Sequence, residues 1–310
     1  MKAKSDMSRV LIAGGTGLIG RHLSKSLQVH GYEVAILSRS KRNSGHTPSY
    51  FWNPDQNEIQ KEALNSCDYI INLAGANIGA RRWTSKRRQE ILESRINPAK
   101  LIFNNLANNH KLSAYITASA IGYYGAITSA NIFQESDTPE NDFLGQTCKE
   151  WEEAADIFSE IGVRTVKIRT GIVLSKEGGA LAKLKIPIRL GFASAIGNGK
   201  QYMPWIHMDD LCNIYIQAIK ANEMAGPYNA VAPEHITNKD FTRKAARALH
   251  RPFWFPNIPA FVLKLGFGQM SSMLLSGSRV SSEKLLAAGY SFQFPDIDSA
   301  FENLYVNKLS

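Results

Sequence analysis

The sequence predicts an α/β fold: a doubly wound parallel sheet joined to a smaller, mainly helical second domain. Three observations carry that prediction. Through the first half, short apolar runs alternate with longer amphipathic stretches, as strands linked by crossover helices do. The first apolar run leads directly into a glycine-rich turn and then a helical period. The length of 310 residues supplies enough chain for two domains of ordinary size, with a core that needs no disulfide or metal staple.

Taken in order, strands are expected at residues 10–13, 33–37, 68–73, 114–119 and 164–168, each apolar and bounded by turn residues. Helices are expected at 18–30, 84–109 and 147–160, and right-handed βαβ units join them most economically. After Gly171 the pattern changes. Gly178, Gly179, Gly191, Gly197 and Gly199 punctuate a stretch without clean periodicity, read as loops folding over the sheet edge. A helix at 209–221 and a strand at 228–231 rejoin the first domain, and beyond residue 238 helical signals are broken by Pro252, Pro256 and Pro259. The expected division is 8–175 with 206–232 in one domain, and 176–205 with 233–310 in the other.

A composition of 44% hydrophobic and 20% charged residues is that of a globular protein. No apolar run approaches the roughly 20 residues that span a bilayer, so no membrane association is expected. The polar stretch from Met1 to Ser8 carries no apolar signal segment, and Cys67, Cys148 and Cys212 are widely spaced. Reduced, buried thiols in a cytoplasmic protein are the expectation, with no metal site. The net charge of +9 attracts anions without choosing among them. In its densest basic stretch, Arg81, Arg82, Lys86, Arg87 and Arg88 are followed by Glu90, Glu93 and Arg95 at helical spacings, which reads as a solvated helix face. No zinc-finger spacing or RNP-type aromatic motif accompanies it, so no nucleic-acid partner is expected.

The strongest local signal is Val10-Leu11-Ile12-Ala13 running into Gly14-Gly15-Thr16-Gly17-Leu18-Ile19-Gly20. Gly14, Gly17 and Gly20 follow a strand and open a helix, the context in which glycines let backbone N–H groups approach a pyrophosphate beside a helix dipole. This is a Rossmann-type arrangement, with Thr16, Leu18 and Ile19 completing the loop. The second strand ends in Ser38-Arg39-Ser40-Lys41-Arg42 with no carboxylate to hold a ribose hydroxyl. Arg39 can fork onto a 2′-phosphate and Ser38 can donate to it, so NADP(H) is the expected cofactor. Leu73, Ala74 and Gly75 end the next strand with small residues against which a cofactor can lie.

These residues, together with Arg169-Thr170-Gly171 and the segment from Trp205 to Asp210, resemble the extended short-chain dehydrogenase/reductases and NAD-dependent epimerase/dehydratases. Arg81-Arg82-Trp83, Ser94-Arg95, Gly122-Tyr123-Tyr124-Gly125, Cys148 with Trp151-Glu152, and Leu249-His250-Arg251-Pro252 are similar to one branch, the atypical "epimerase family" proteins with a small C-terminal domain of unknown function. The resemblance implies nucleotide contact by Arg169 and a proton relay of the form Tyr-x-x-x-Lys. Anchored on Glu152, that relay falls on Leu144 and Cys148, which cannot perform it, while Lys149 is turned by one helical step. Ala120 stands where the substrate-polarising serine belongs, with Ser119 one residue earlier.

Substitutes for the relay are Tyr123, Tyr124 and Ser119, at the sheet edge where ligands of such folds sit. His207 reads as the structural start of a helix. Arg81, Trp83 and Arg95 supply a stacking face and a clamp for an anionic substrate, with Gln201 and Trp205 lining the same cleft from the second domain. Two functions follow: an NADP(H)-dependent oxidoreductase or epimerase acting on a small, anionic substrate with a substitute proton donor, or a non-catalytic NADP(H)-binding redox sensor. A homodimer stays open as the assembly.

Overall fold

The computed structural model describes residues 7–40, 47–65, 67–108 and 110–306. Lys41 and Arg42 of the basic run lie outside the described residues. The strands are β1 (Arg9–Ala13), β2 (Glu33–Ser38), β3 (Ser49–Asn53), β4 (Glu58–Ile59), β5 (Tyr69–Asn72), β6 (Ala114–Ala120), β7 (Ile132–Phe133), β8 (Arg164–Thr170), β9 (Ile172–Leu174), β10 (Trp205–His207), β11 (Gly226–Ala230) and β12 (Arg279–Val280). Eight of them form one sheet in the order β11-β8-β6-β5-β1-β2-β3-β4, parallel except for the antiparallel β3–β4 pair. The chain reverses direction of winding at β1, between β5 and β2, which opens a crevice at their C-terminal ends.

Period-two alternation divides the core. Val10 and Ile12 of β1 pack with Leu23 and Leu27 of α1 (Leu18–Val29), whereas Leu11 and Ala13 face the opposite layer. The short helix α2 (Glu62–Asn65) precedes β5. Helices α3 (Ser85–Asn104) and α4 (Phe143–Glu160) cover the second face through Ala99, Ile102, Ala155 and Phe158. Helix α5 (Gly179–Arg189) follows β9, and α6 (Met208–Lys220) joins α1 on the first face. The remaining helices are α7 (Asn238–Ala248), α8 (Ala260–Phe267), α9 (Ser272–Leu275), α10 (Glu283–Ala287) and α11 (Ile297–Phe301). A separate apolar cluster joins α5, α7 and α11 around Leu181, Phe241 and Phe301.

Three differences from the sequence reading have local causes. Edge strands β3 and β4 extend the sheet where no strand was expected, because only Trp52 of β3 is buried and the apolar signal is faint. Helix α5 occupies part of the glycine-punctuated stretch, its pattern hidden by Pro187 inside it. Helix α4 begins at Phe143 rather than 147, because Asp142 caps it by accepting from the Gly145 N–H at 2.8 Å. No helix among the described residues is long and apolar enough to cross a membrane.

Candidate cofactor and substrate site

The glycine loop is fixed by close approach. Gly14 has φ +78°, and a Cβ there would lie 2.9 Å from the Leu73 carbonyl carbon. A Cβ on Gly20 would lie 2.5 Å from the Gly14 oxygen, so α1 presses directly on the loop. Gly17 begins α1 with no side-chain cap, leaving first-turn N–H groups available, and Thr16 and Gly17 are exposed. Leu18 and Ile19 pack on the core, which holds that helix end in place. Beside it, Asn72 donates to the Tyr115 hydroxyl at 2.9 Å and accepts from the Ala74 N–H at 3.1 Å, bending Leu73, Ala74 and Gly75 along the glycine loop. At the end of β2, Ser38 is buried with its Oγ accepting from the Ser40 N–H, and Arg39 is exposed with no carboxylate partner among the described residues. An uncapped helix start, a cradle that a Cβ would fill and a free guanidinium together fit a phosphorylated dinucleotide.

Polar residues expected to do chemistry are instead tied to one another. Arg169 is 2% exposed; its Nε and Nη2 donate to Glu152 at 2.8 and 2.9 Å, and its Nη1 to the Tyr124 hydroxyl at 3.0 Å and the Glu135 carbonyl. Its guanidinium is thus engaged by the protein's own groups. Ser119 donates to Glu152 at 2.7 Å and is buried, so it is not presented to a substrate. Tyr124 donates to Asn229 at 2.7 Å, and burial pushes its hydroxyl up to about 12 despite the opposing Arg169. The Tyr123 ring lies under the Arg169 guanidinium at 3.5 Å, and burial raises its hydroxyl as well. His207 accepts from the Asp209 N–H and caps α6.

A cleft of about 910 Å³ opens between the α3–α4 corner and the α8–α9 segment. Trp83, Phe143 and Leu144 form an apolar wall, and Arg88 and Lys264 bring positive charge. Among the substrate candidates only Trp83 lines it. Arg81 is exposed to solvent, and Gln201 is buried, donating to the Ile196 and Leu274 carbonyls. Trp205 is fully buried on β10 in the apolar cluster under α5 and α7, which corrects its placement in the cleft. Arg95 is buried against Trp151 and the 75–76 loop rather than beside Arg81. The sequence reading missed Arg88, Phe143 and Lys264; the start of α4 at Asp142 was the available signal for Phe143.

Residues 10–152 match the NAD dependent epimerase/dehydratase family, and 258–304 match the domain of unknown function DUF1731. Over 300 residues the chain is 35% identical to the mouse epimerase family protein SDR39U1, covering 96% of this chain and 99% of the other. The chain belongs to the epimerase family proteins. It is also 33% identical over 301 residues to the epimerase family protein YfhF of Bacillus subtilis, covering 96% and 98% of the two chains. The human epimerase family protein SDR39U1, in a crystal structure with NADPH, superposes with a TM-score of 0.86 at 34% identity, covering 96% of this chain and 99% of that one. A UDP-N-acetylglucosamine 4-epimerase from Bacillus cereus, at 18% identity and a TM-score of 0.74, shares the fold.

Within this epimerase family protein, Leu144 and Cys148, onto which the resemblance maps the relay, both pack from α4 against Gly122. A Cβ on Gly122 would lie 3.5 Å from the Leu144 Cβ and 3.6 Å from the Cys148 sulfur. Burial pushes the Cys148 thiol up to about 12, so it is neither a cation nor a ready thiolate. Lys149 is exposed and pairs with Glu153 at 3.7 Å.

Proposed function

We propose that this epimerase family protein is an NADP(H)-dependent oxidoreductase or epimerase acting on a small anionic molecule with an apolar body. The observation that carries the nucleotide choice is the end of β2, where Arg39 is exposed with no carboxylate partner among the described residues and no carboxylate follows Leu37 before Ser40. When bound, NADPH would supply hydride; binding, orientation and exclusion of water fall to the chain. The cleft supports an anionic substrate because Arg88 and Lys264 meet no competing acid there: the Asp142 carboxylate is taken by the N–H groups of Gly145 and Ala126. Trp83 and Phe143 suit an apolar body.

Leu144 and Cys148 favour a second reading, a non-catalytic NADP(H)-binding redox sensor. Calorimetry with NADPH and NADH, followed by an absorbance screen for NADPH consumption with carboxylated and phosphorylated ketones, aldehydes and nucleotide sugars, separates the two. Tighter NADPH than NADH binding and turnover of an anionic substrate are expected. Binding without turnover across the panel would establish the sensor, and absence of affinity for either nucleotide would overturn both readings.

A further inference from the structure

Among the buried charges on this chain, Arg95 stands apart. Arg169 has Glu152 in a two-pronged pair, and the Asp210 carboxylate accepts from the Tyr290 hydroxyl and from the N–H groups of Gln293 and Phe294. Arg95 is 9% exposed and has no carboxylate partner among the described residues. Its Nη1 donates to the Ile91 carbonyl at 2.8 Å, its Nη2 to the Ala76 carbonyl at 3.3 Å, and its guanidinium carbon lies 4.9 Å from the Trp151 ring centroid. Carbonyls and an aromatic face soften the cost of burying a cation without neutralising it. A neutral donor would staple the loop as well, so the uncompensated charge calls for another explanation.

Position supplies one. Ser94 accepts from the Ala76 N–H at 2.9 Å, so adjacent residues of α3 hold the loop that follows β5. That loop abuts the glycine turn, and a Cβ on Gly75 would lie 3.6 Å from the Arg95 guanidinium carbon. Arg39 claims the β2 side of the crevice for the adenosine phosphate, which leaves the β5–β6 side, beneath Gly75, for the nicotinamide half. There Arg95 lies against Trp151, three residues along α4 from Cys148, the residue at the lysine position of the expected relay.

We propose that Arg95 is a cofactor-positioning residue, a fixed cation reaching the nicotinamide-ribose half of NADP(H) from α3 and supplying the charge that Cys148 on α4 cannot. This rests on the NADP(H) reading above. The positive charge favours the neutral reduced nicotinamide over the cationic oxidised ring and does not reach the adenosine end, which gives the residue a signature that loop stapling lacks.

The test measures calorimetric affinities of NADPH, NADP⁺ and adenosine 2′,5′-bisphosphate for the wild type, Arg95→Met and Arg95→Lys. Wild type is expected to prefer NADPH over NADP⁺ by about fivefold or more. Arg95→Met should weaken NADPH by about tenfold, leave the bisphosphate unchanged and erase the preference for the reduced form. Arg95→Lys, which keeps the charge, should retain that preference. Equal weakening of all three ligands in Arg95→Met would make Arg95 a structural staple and overturn the proposal. If Arg95→Met does not fold, a wild type or Arg95→Lys protein indifferent to nicotinamide charge overturns it equally. Wild-type failure to bind the bisphosphate would instead defeat the NADP(H) reading on which it stands.

Discussion

Replacing Arg39 with alanine isolates the contact on which nucleotide choice depends. The side chain is exposed and holds no ion pair among the described residues, so its removal breaks none of the ion pairs described. The loss is therefore that of the guanidinium–phosphate contact alone. A two-pronged pair of this kind is charge-assisted, but solvent screening at an exposed site reduces it to about 1–2 kcal/mol. That corresponds to roughly a 5- to 30-fold weaker NADPH affinity, while NADH, which lacks the phosphate, should change less than about twofold. Added salt should shrink the wild-type preference for NADPH toward that of the variant, because exposed charges are screened. Titration calorimetry of both nucleotides at low and high salt reads all of this. Equal losses for the two nucleotides, or an unchanged NADPH affinity, would refute the placement of the phosphate beside β2.

Glu152→Ala should leave Arg169 as a buried charge without its carboxylate and cost about 3–5 kcal/mol. In thermal unfolding this should lower Tm by roughly 5–8 °C, and a fall of less than about 2 °C would contradict a structural role for the pair. Stability should also decline at alkaline pH. Burial raises the Cys67, Cys148 and Cys212 thiols from 9.0 to about 12, and the Tyr124 hydroxyl from 10.0 to about 12. Between those limits the unfolded chain has lost protons that the folded chain retains, so their contribution is complete below the unfolded values and is lost as pH rises through the folded ones. Denaturant titrations should show stability falling above pH 9, by up to about 1.4 kcal/mol per pH unit for each group; a flat profile up to pH 11 would show these groups are not buried as described.

The strand, glycine loop and helix were legible because their requirements are local. A strand, three glycines and a helix lie within residues 9–29, and backbone geometry alone makes Gly14 and Gly20 necessary. Arg39 directly follows β2, which pairs with β1, so its place near that loop also rests on a short stretch of chain. The cleft was not legible. Trp83 and Phe143 meet Lys264 across more than a hundred residues of chain, and no periodicity records which loop of a helical tail will cover a sheet edge. Trp205 misled for a different reason: belonging to a motif does not say whether a strand side chain faces a cleft or, as here, the apolar cluster under α5 and α7.

A buried polar network centred on Arg169 occupies the half of the sheet beyond β5. Glu152 accepts from Arg169 and Ser119, and Tyr124 accepts from Arg169 while donating to Asn229. Those residues lie on α4, β8, β6, the turn that follows it, and β11, so the network binds the half of the sheet beyond β5 into one unit. A hydroxyl locked between a guanidinium and an amide has its proton assigned and cannot exchange it with a ligand without breaking that unit. The cations that line the cleft, Arg88 and Lys264, lie on α3 and α8, with the Arg88 guanidinium donating to the Gln269 side chain over the Phe143 ring. On the proposed reading, in which this cleft receives an anionic substrate, variation in α8 should change which anion is accepted while leaving the nucleotide loop untouched.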